Sequence, residues 1–154
     1  MKNHTEVERT SEREIVVTRS FDAPVRLVFE AWTRAELFKQ WWVPKSFGLN
    51  LVSCEIDVRV GGKYRLVFRQ GDAEPMAFFG TYTEVIPNAR LVWTNEESSD
   101  GAITTVTFEE RDGRTLLVLR ELYPSKAALD ASGSSGGLGE TFEQLDALLA
   151  ARAA

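Results

Sequence analysis

The chain has 154 residues, 44% of them apolar, and a net charge of −5 at pH 7. This length supports one hydrophobic core and predicts one domain. The acidic balance and the lack of a basic run argue against a nucleic-acid partner, because binding to phosphates depends on clustered Lys and Arg. Cys54 is the only cysteine, which leaves no internal disulfide, and no apolar stretch follows a basic start. We therefore expect a cytoplasmic protein without membrane insertion.

The segment 1–13 is polar, mixed in charge and aperiodic, which predicts a disordered or frayed arm ahead of one domain over 14–154. The alternating, β-branched stretch from Glu14 to Phe21 predicts the first strand. One face of that strand would carry Ile15, Val17, Arg19 and Phe21.

Two short helices are predicted to follow this strand. Asp22 offers an N-cap oxygen and Pro24 a preset φ for the first of them. Thr33 would cap the second helix, and Pro44 would stop it. Apolar positions recur at helical spacing, as Val25, Val28, Phe29 and Trp32 in the first helix and Leu37, Phe38, Trp41 and Trp42 in the second.

From Leu51 to Tyr123 the hydrophobic period becomes two, and turn signals divide this segment into about six strands of an antiparallel meander. Asp112-Gly113 is the strongest hairpin signal, because both residues tolerate the positive φ of a two-residue turn. The other turn signals are Gly61-Gly62, Gly71-Asp72, Pro87-Asn88 and Asp100-Gly101.

A Gly/Ser-rich breaker over 132–137 precedes a closing amphipathic helix. The apolar stripe of this helix consists of Leu138, Phe142, Leu145 and Leu149. A twisted sheet with this helix on its inner face and the two short helices at one end would bury the stripes and leave a cavity. The predicted fold class is therefore α+β in the order β-α-α-β6-α, a curved antiparallel sheet wrapped around a long C-terminal helix.

Several short motifs support a family resemblance. They are Arg19-Ser-Phe-Asp-Ala-Pro-Val-Arg-Leu-Val-Phe-Glu-Ala-Trp-Thr, Trp41-Trp42, Gly61-Gly62-Lys-Tyr, Gly80-Thr-Tyr-Thr-Glu-Val-Ile-Pro, Arg90-Leu-Val-Trp-Thr and Tyr123-Pro-Ser-Lys. With these motifs in this order, the chain resembles the activator of Hsp90 ATPase homologue-like proteins, over roughly Glu14 to Ala150. These proteins belong to the START/Bet v 1-like helix-grip superfamily.

The resemblance implies a helix grip around an apolar pocket. It leaves function broad, because the superfamily's members act in lipid carriage, polyketide cyclisation, stress response and co-chaperone action. Where relatives often carry Gly-Met-Glu-x-Gly before the last helix, this chain has Gly133-Ser-Ser-Gly-Gly. This departure implies a smaller and looser lid over the pocket.

Aromatic and apolar side chains on the inward faces of the elements are the candidate walls of the cavity, although plain core filling is the simpler interpretation for most of them. Trp41 and Trp42 point about 100° apart on a helix. One would pack inside, and the other would either shield the helix–sheet junction or gate the pocket. Cys54 is expected to be a small core residue. The candidate cavity residues are Phe38, Trp41, Trp42, Cys54, Tyr64, Leu66, Phe68, Tyr82, Trp93, Phe108, Leu119, Glu121, Phe142 and Leu145.

Arg19 and Glu121 share strand faces with apolar residues, and a charge that points inward is costly unless it is paired. We expect strand ends or bulges to turn both charges to solvent. If the two meet inside the sheet, they would instead anchor a polar ligand head.

Signatures of metal or serine-hydrolase chemistry are missing, since the only histidine, His4, lies in the arm. We predict no catalytic or metal-binding residue, no cofactor, and binding of a small hydrophobic or aromatic ligand between the sheet and the C-terminal helix by a monomer or weak homodimer. Two alternatives stay open. One is an Hsp90-type chaperone-associated interaction module, and the other is a polyketide cyclase-like pocket enzyme that uses a Tyr, Arg or Glu.

Overall fold

The computed structural model describes residues 5–96, 101–132 and 138–153. Its strands are β1 Glu6–Arg9, β2 Glu14–Phe21, β3 Asn50–Ile56, β4 Lys63–Arg69, β5 Met76–Ile86, β6 Arg90–Thr94, β7 Ile103–Arg111 and β8 Arg114–Leu122. Its helices are α1 Val25–Thr33, α2 Ala35–Trp41, a 3-10 turn at Lys45–Phe47, α3 Lys126–Ser132 and α4 Leu138–Ala153.

The strands form one antiparallel sheet in the order β1-β2-β8-β7-β6-β5-β4-β3. The strands from β3 to β8 follow one another as the predicted meander, and β2 joins the sheet beside β8. The inner face of this sheet packs against α1, α2 and α4, which confirms the predicted α+β helix-grip architecture.

The alternating stretch from Glu14 to Phe21 forms a strand with the predicted bounds. The hairpin prediction is also confirmed, because Asp112 and Gly113 have φ values of 54° and 79° between the paired ends of β7 and β8. Asn88, at the turn between β5 and β6, has a φ of 60°. Asp100, in the turn signal between β6 and β7, lies outside the described residues.

The segment before β2 differs from the predicted frayed arm, because Glu6–Arg9 pairs with β2 along its length, from Glu6 opposite Thr18 to Arg9 opposite Ile15. All its side chains are exposed, so the strand is held by backbone hydrogen bonds and leaves no apolar alternation in the sequence. Residues 1–4 lie outside the described part of the chain.

The predicted helix caps are wrong at both short helices. Asp22 forms a 2.6 Å ion pair with Arg114, and the first backbone N–H of α1, that of Val25, instead donates to Glu110 Oε1 at 2.8 Å. Thr33 still belongs to the last turn of α1, where its hydroxyl donates to the Phe29 carbonyl at 2.9 Å. Arg34 occupies the N-cap position of α2 without a side-chain cap, because α1 extends to the residue before it.

The C-terminal helix buries the predicted stripe, with Phe142, Leu145 and Leu149 all in the core. Phe142 meets Phe21 of β2 edge to face, with ring centroids 5.7 Å apart. The side chain of Leu138 and the breaker residues 133–137, with the predicted lid, lie outside the described part of the chain.

The sequence did not predict α3. This helix has only seven residues and buries Ala128 and Leu129 in a small separate cluster with Tyr123 and Ala102. So short an element shows no recurring stripe that pattern analysis could recognise.

Candidate ligand-binding cavity

A cavity of about 370 Å³ lies between the inner face of β3–β6 and the segment that connects α2 to β3. Among the described side chains of α4, Thr141 alone lines the wall, so the cavity lies to one side of the C-terminal helix rather than beneath it. Its wall is lined by Trp32, Phe38, Trp42, Val43, Pro44, Phe47, Leu49, Ile56, Tyr64, Leu66, Phe68, Met76, Phe78, Tyr82, Trp93, Asn95 and Thr141.

Strands β4 and β5 form one side of the cavity, with alternate residues facing it up to a bulge in β5. Tyr64, Leu66 and Phe68 lie on the inward face of β4, as predicted. On β5, Tyr82 faces inward, but a register shift between Tyr82 and Glu84 reverses the alternation. Val85 therefore packs against the core while Ile86 is exposed, the opposite of what unbroken alternation from Tyr82 would give.

Indole and phenyl rings form the base of the cavity. Trp32 is fully buried and contacts Trp42 and Trp93, with ring centroids 5.7 and 6.0 Å away. Phe38 stacks on Trp42 at 4.9 Å. Trp41 is fully buried in the core and its indole N–H donates to the Ala31 carbonyl at 3.0 Å, so the tryptophan pair divides into one core ring and one cavity ring.

The polar wall is held in place by a chain of hydrogen bonds. The Tyr64 hydroxyl lies 2.8 Å from Asn95 Oδ1 and 3.1 Å from the Thr94 carbonyl oxygen. The Asn95 amide in turn donates to the Ala102 carbonyl at 2.7 Å and to the Thr104 hydroxyl at 3.0 Å. These bonds fix Tyr64 and use the hydrogen-bonding capacity of Asn95 within the protein.

Two further groups near the cavity are kept neutral by burial. Loss of hydration raises the pKa of Tyr82 far above its ordinary value of 10.0, so this phenol remains protonated. Burial also raises the pKa of the Cys54 thiol, whose Sγ lies 4.0 Å from the Ala35 carbonyl oxygen. Cys54 packs at the edge of the core outside the cavity wall, in keeping with an inert structural thiol.

The segment 41–47, which forms one edge of the cavity mouth, is tied to the first turns of α4. Gln144 donates from Nε2 to the Trp41 and Val43 carbonyls, both at 2.9 Å, and accepts at Oε1 from the Lys45 N–H at 2.9 Å. Glu140 accepts from both the N–H and the hydroxyl of Ser46. The C-terminal helix thus positions the cavity through its polar residues.

The Glu140–Ser46 contact predicts a pH dependence of stability. The bonds from the hydroxyl and N–H of Ser46 lower the pKa of Glu140 below its ordinary value of 4.5. A depressed native pKa stabilises the fold above pH 4.5, and this contribution is lost as pH falls through the native pKa. We expect Glu140→Gln and Ser46→Ala to lower the free energy of unfolding at pH 7 and to converge with wild type in acid, as measured by urea unfolding across pH. A difference from wild type that is independent of pH would contradict this linkage.

The structure divides the fourteen predicted cavity residues into three groups. Those in the cavity wall are Phe38, Trp42, Tyr64, Leu66, Phe68, Tyr82 and Trp93. Those in the core, away from the wall, are Trp41, Phe108, Leu119, Phe142 and Leu145. The third group consists of Cys54, which packs at the edge of the core, and Glu121, which is half-buried at the end of β8. Phe108, Leu119, Phe142 and Leu145 fill the space under α4 that the sequence interpretation left for a ligand.

The two predicted solvent-facing charges behave differently. Arg19 is 1% exposed and points into the core, where its guanidinium pairs with Asp146 of α4 and lies 4.9 Å from the centre of the Phe21 ring. The expectation that it turns to solvent is wrong, because its partner is supplied by a helix far along the chain. Glu121 is half-buried at the end of β8 and accepts from the Tyr123 hydroxyl at 2.9 Å. The two charges do not form a ligand anchor, because they bind different partners.

Sequence reasoning missed the residues of the connecting segment. The segment between α2 and β3 has no hydrophobic period, so no pattern assigns a face to Val43, Pro44, Phe47 and Leu49. Their one signal is an unusual density of apolar residues in a loop, since loops at the surface are normally polar. The remaining unpredicted wall residues are Trp32, Ile56, Met76, Phe78, Asn95 and Thr141.

Over 5–96, 101–132 and 138–153, no group of three or more His, Cys, Asp and Glu residues is arranged to hold a metal ion. Among the described helices, none combines the length and the apolar character needed to cross a membrane.

A family model described as "Activator of Hsp90 ATPase homolog 1-like protein" matches residues 22–150. None of the curated proteins compared with the chain matches it.

Solved structures match the chain over nearly its whole length. A protein from Rhodobacter sphaeroides is similar with a TM-score of 0.86 and 21% identity, covering 96% of this chain and 98% of its own. A Nitrosomonas europaea protein gives a TM-score of 0.82 and 24% identity, with 94% and 98% covered. A Mycobacterium smegmatis protein gives 0.81 and 25%, with 97% and 99% covered.

Proposed function

We propose that the cavity of this chain, which belongs to the activator of Hsp90 ATPase homolog 1-like family, binds a small hydrophobic or aromatic molecule without catalysing a reaction. The observation that carries the proposal is the cavity itself, a space of about 370 Å³ walled by aromatic and aliphatic side chains. Its volume lies within the range of about 300–1,000 Å³ that is usual for small-molecule sites. We further propose that the protein works in the cytoplasm, as a monomer or weak homodimer.

The chemistry of the wall supports binding over catalysis. Of the described residues that line the cavity, none is an Asp, Glu, His, Lys, Arg or Cys. Tyr64 is engaged with Asn95, and the raised pKa of Tyr82 makes it a poor general base. Aromatic rings with a few oriented polar atoms are typical of sites that recognise a ligand.

Filling the cavity should abolish binding. Ile56 lies in the wall at the end of β3, and an Ile56→Trp substitution would place an indole in the space that the ligand needs. The probe is a naphthalene-type hydrocarbon, and its titration is monitored by the NMR chemical shifts of the cavity indoles. We expect it to bind wild type and to bind the variant with an affinity at least about tenfold lower.

Ile86→Trp is the matched control for this experiment. Ile86 is a strand isoleucine that is 44% exposed and lies outside the cavity wall, so the same substitution there should leave affinity unchanged. Equal affinities for wild type and Ile56→Trp would show that the probe binds elsewhere. Failure of wild type to bind apolar probes would refute the proposed function.

A chaperone-associated module is the second candidate, and one observation favours it. Phe47, Met76 and Phe78 line the mouth of the cavity and are 39–48% exposed, which gives the surface an apolar rim. If this rim binds an Hsp90-type chaperone, immobilised wild-type protein should retain the purified chaperone and a Met76→Ser variant should retain less. Equal retention, or none by wild type, would count against this candidate.

A further inference from the structure

Some polar side chains of the cavity wall already make hydrogen bonds within the protein, and others do not. The Asn95 amide donates to two protein oxygens and its carbonyl accepts from Tyr64, so Asn95 has little left to offer. Thr141 donates its hydroxyl proton to the Trp42 carbonyl at 3.3 Å. These groups shape the wall but are already committed as donors.

Tyr82 is different. Its side chain is buried and lines the cavity, and its hydroxyl has no hydrogen-bond partner among the described residues. The ring is held between Tyr64 and Trp93, with centroids 6.0 and 6.1 Å away, so the hydroxyl is positioned without being satisfied. A wall hydroxyl without a protein partner is free to donate to a molecule in the cavity.

Trp32 holds a second donor without a partner among the described residues, beneath the surface of the wall. Its indole N–H is buried and has no partner in the part of the chain that the structure describes, and its ring belongs to the cavity wall. An indole N–H can only donate, and a phenol kept neutral by burial donates readily. The unused polar groups of this wall therefore match a hydrogen-bond acceptor.

Charge and size restrict the ligand further. The described wall residues carry no cation to neutralise a carboxylate or phosphate, and an ionised group buried without a partner pays a large desolvation cost. An apolar cavity of about 150 Å³ holds one benzene ring in another protein. The 370 Å³ found here accordingly has room for about two rings.

We infer that the cavity takes a neutral molecule of about two rings with an acceptor oxygen such as a ketone, which the hydroxyl of Tyr82 binds, and that it rejects ionised head groups. The inference rests on the proposed function and adds the polarity of the ligand and its anchoring residue. The ketone oxygen accepts the hydrogen bond that the protein leaves unmade at Tyr82.

Three naphthalenes of similar size test this directly by calorimetric or NMR titration at pH 7: 2-acetylnaphthalene, 2-ethylnaphthalene and 2-naphthoate. We expect the ketone to bind about fivefold more tightly than the hydrocarbon, as one neutral hydrogen bond predicts. The ionised naphthoate should bind at least about tenfold more weakly than the ketone.

The Tyr82→Phe variant should lose the preference for the ketone while keeping its affinity for the hydrocarbon. It should fold normally, because the hydroxyl it removes makes no hydrogen bond among the described residues. Tyr123→Phe is the matched control, since Tyr123 lies in the separate cluster beside α3 and outside the cavity wall, and the ketone preference should survive there.

The outcomes separate the two proposals. Binding of ketone and hydrocarbon with equal affinity, or of naphthoate as tightly as the ketone, would overturn this inference and leave the binding function intact. An equal loss of affinity for all three probes in Tyr82→Phe would reduce Tyr82 to a packing residue and also overturn it. Failure of all three probes to bind wild type would remove the proposed function and this inference with it.

Discussion

Replacing Asp146 with alanine should lower the free energy of unfolding by about 2–4 kcal/mol. The carboxylate of Asp146 is the only acidic partner found for the Arg19 guanidinium among the described residues, at 3.3 Å from Nη1 and closer to Nη2. The Arg19 side chain is fully buried, so the variant would leave its charge in the core with no acidic partner, beside only the Ser20 carbonyl and the Phe21 ring. The Asp146 side chain is itself 36% exposed, so water can enter beside the guanidinium in the variant. The expected loss of stability is therefore smaller than that for breaking a fully buried ion pair.

Two variants separate this effect from the loss of a surface charge. Asp130→Ala removes exposed ion pairs with Arg9 and Lys126 and should cost far less than Asp146→Ala, because solvent screens exposed pairs. In the double variant Arg19→Met with Asp146→Ala, an apolar side chain replaces the buried cation, and most of the lost stability should return. Urea unfolding measures all three variants. A cost for Asp146→Ala no larger than that for Asp130→Ala would show that Arg19 is hydrated in the folded protein.

The Arg19–Asp146 pair also shows where sequence reasoning reaches its limit. Alternation placed Arg19 on the inward face of β2 with Val17 and Phe21, and the structure agrees. Its partner lies 127 positions along the chain, in a helix whose rotation about its own axis is set by packing. A single sequence contains no signal for such a pairing, so solvent exposure was the more economical expectation.

The cavity illustrates the same division between local and distant information. The inward faces of β4 and the first half of β5 follow from alternation, so Tyr64, Leu66 and Tyr82 could be placed toward the interior. Which part of the interior stays empty depends on the volumes of side chains from several elements together. Phe142 and Leu145 fill the space under α4, and the opening lies instead beside the aperiodic segment 42–49.

Gly80 is the position where a single methyl group should disturb both the fold and the cavity. It lies on β5 in the predicted family motif, and a Cβ there would lie 1.7 Å from the Thr94 carbonyl oxygen and 2.7 Å from Cε2 of Tyr64. Both neighbours are fixed, since Tyr64 bonds to Asn95 and Thr94 belongs to β6. We expect Gly80→Ala to cost about 3 kcal/mol, because the backbone of β6 has to move.

Gly139→Ala is the matched control for this prediction. Gly139 lies in the first turn of α4 with nothing within 4 Å of an added Cβ, so alanine should be neutral or stabilise the fold by up to about 1 kcal/mol. Thermal and urea unfolding compare the two variants, and titration with 2-acetylnaphthalene tests the cavity of each. Because the added methyl displaces Tyr64 from the wall, Gly80→Ala should weaken binding even at temperatures where it remains folded. Wild-type stability in Gly80→Ala would mean that β5 and β6 lie further apart in solution than the contact at Thr94 indicates.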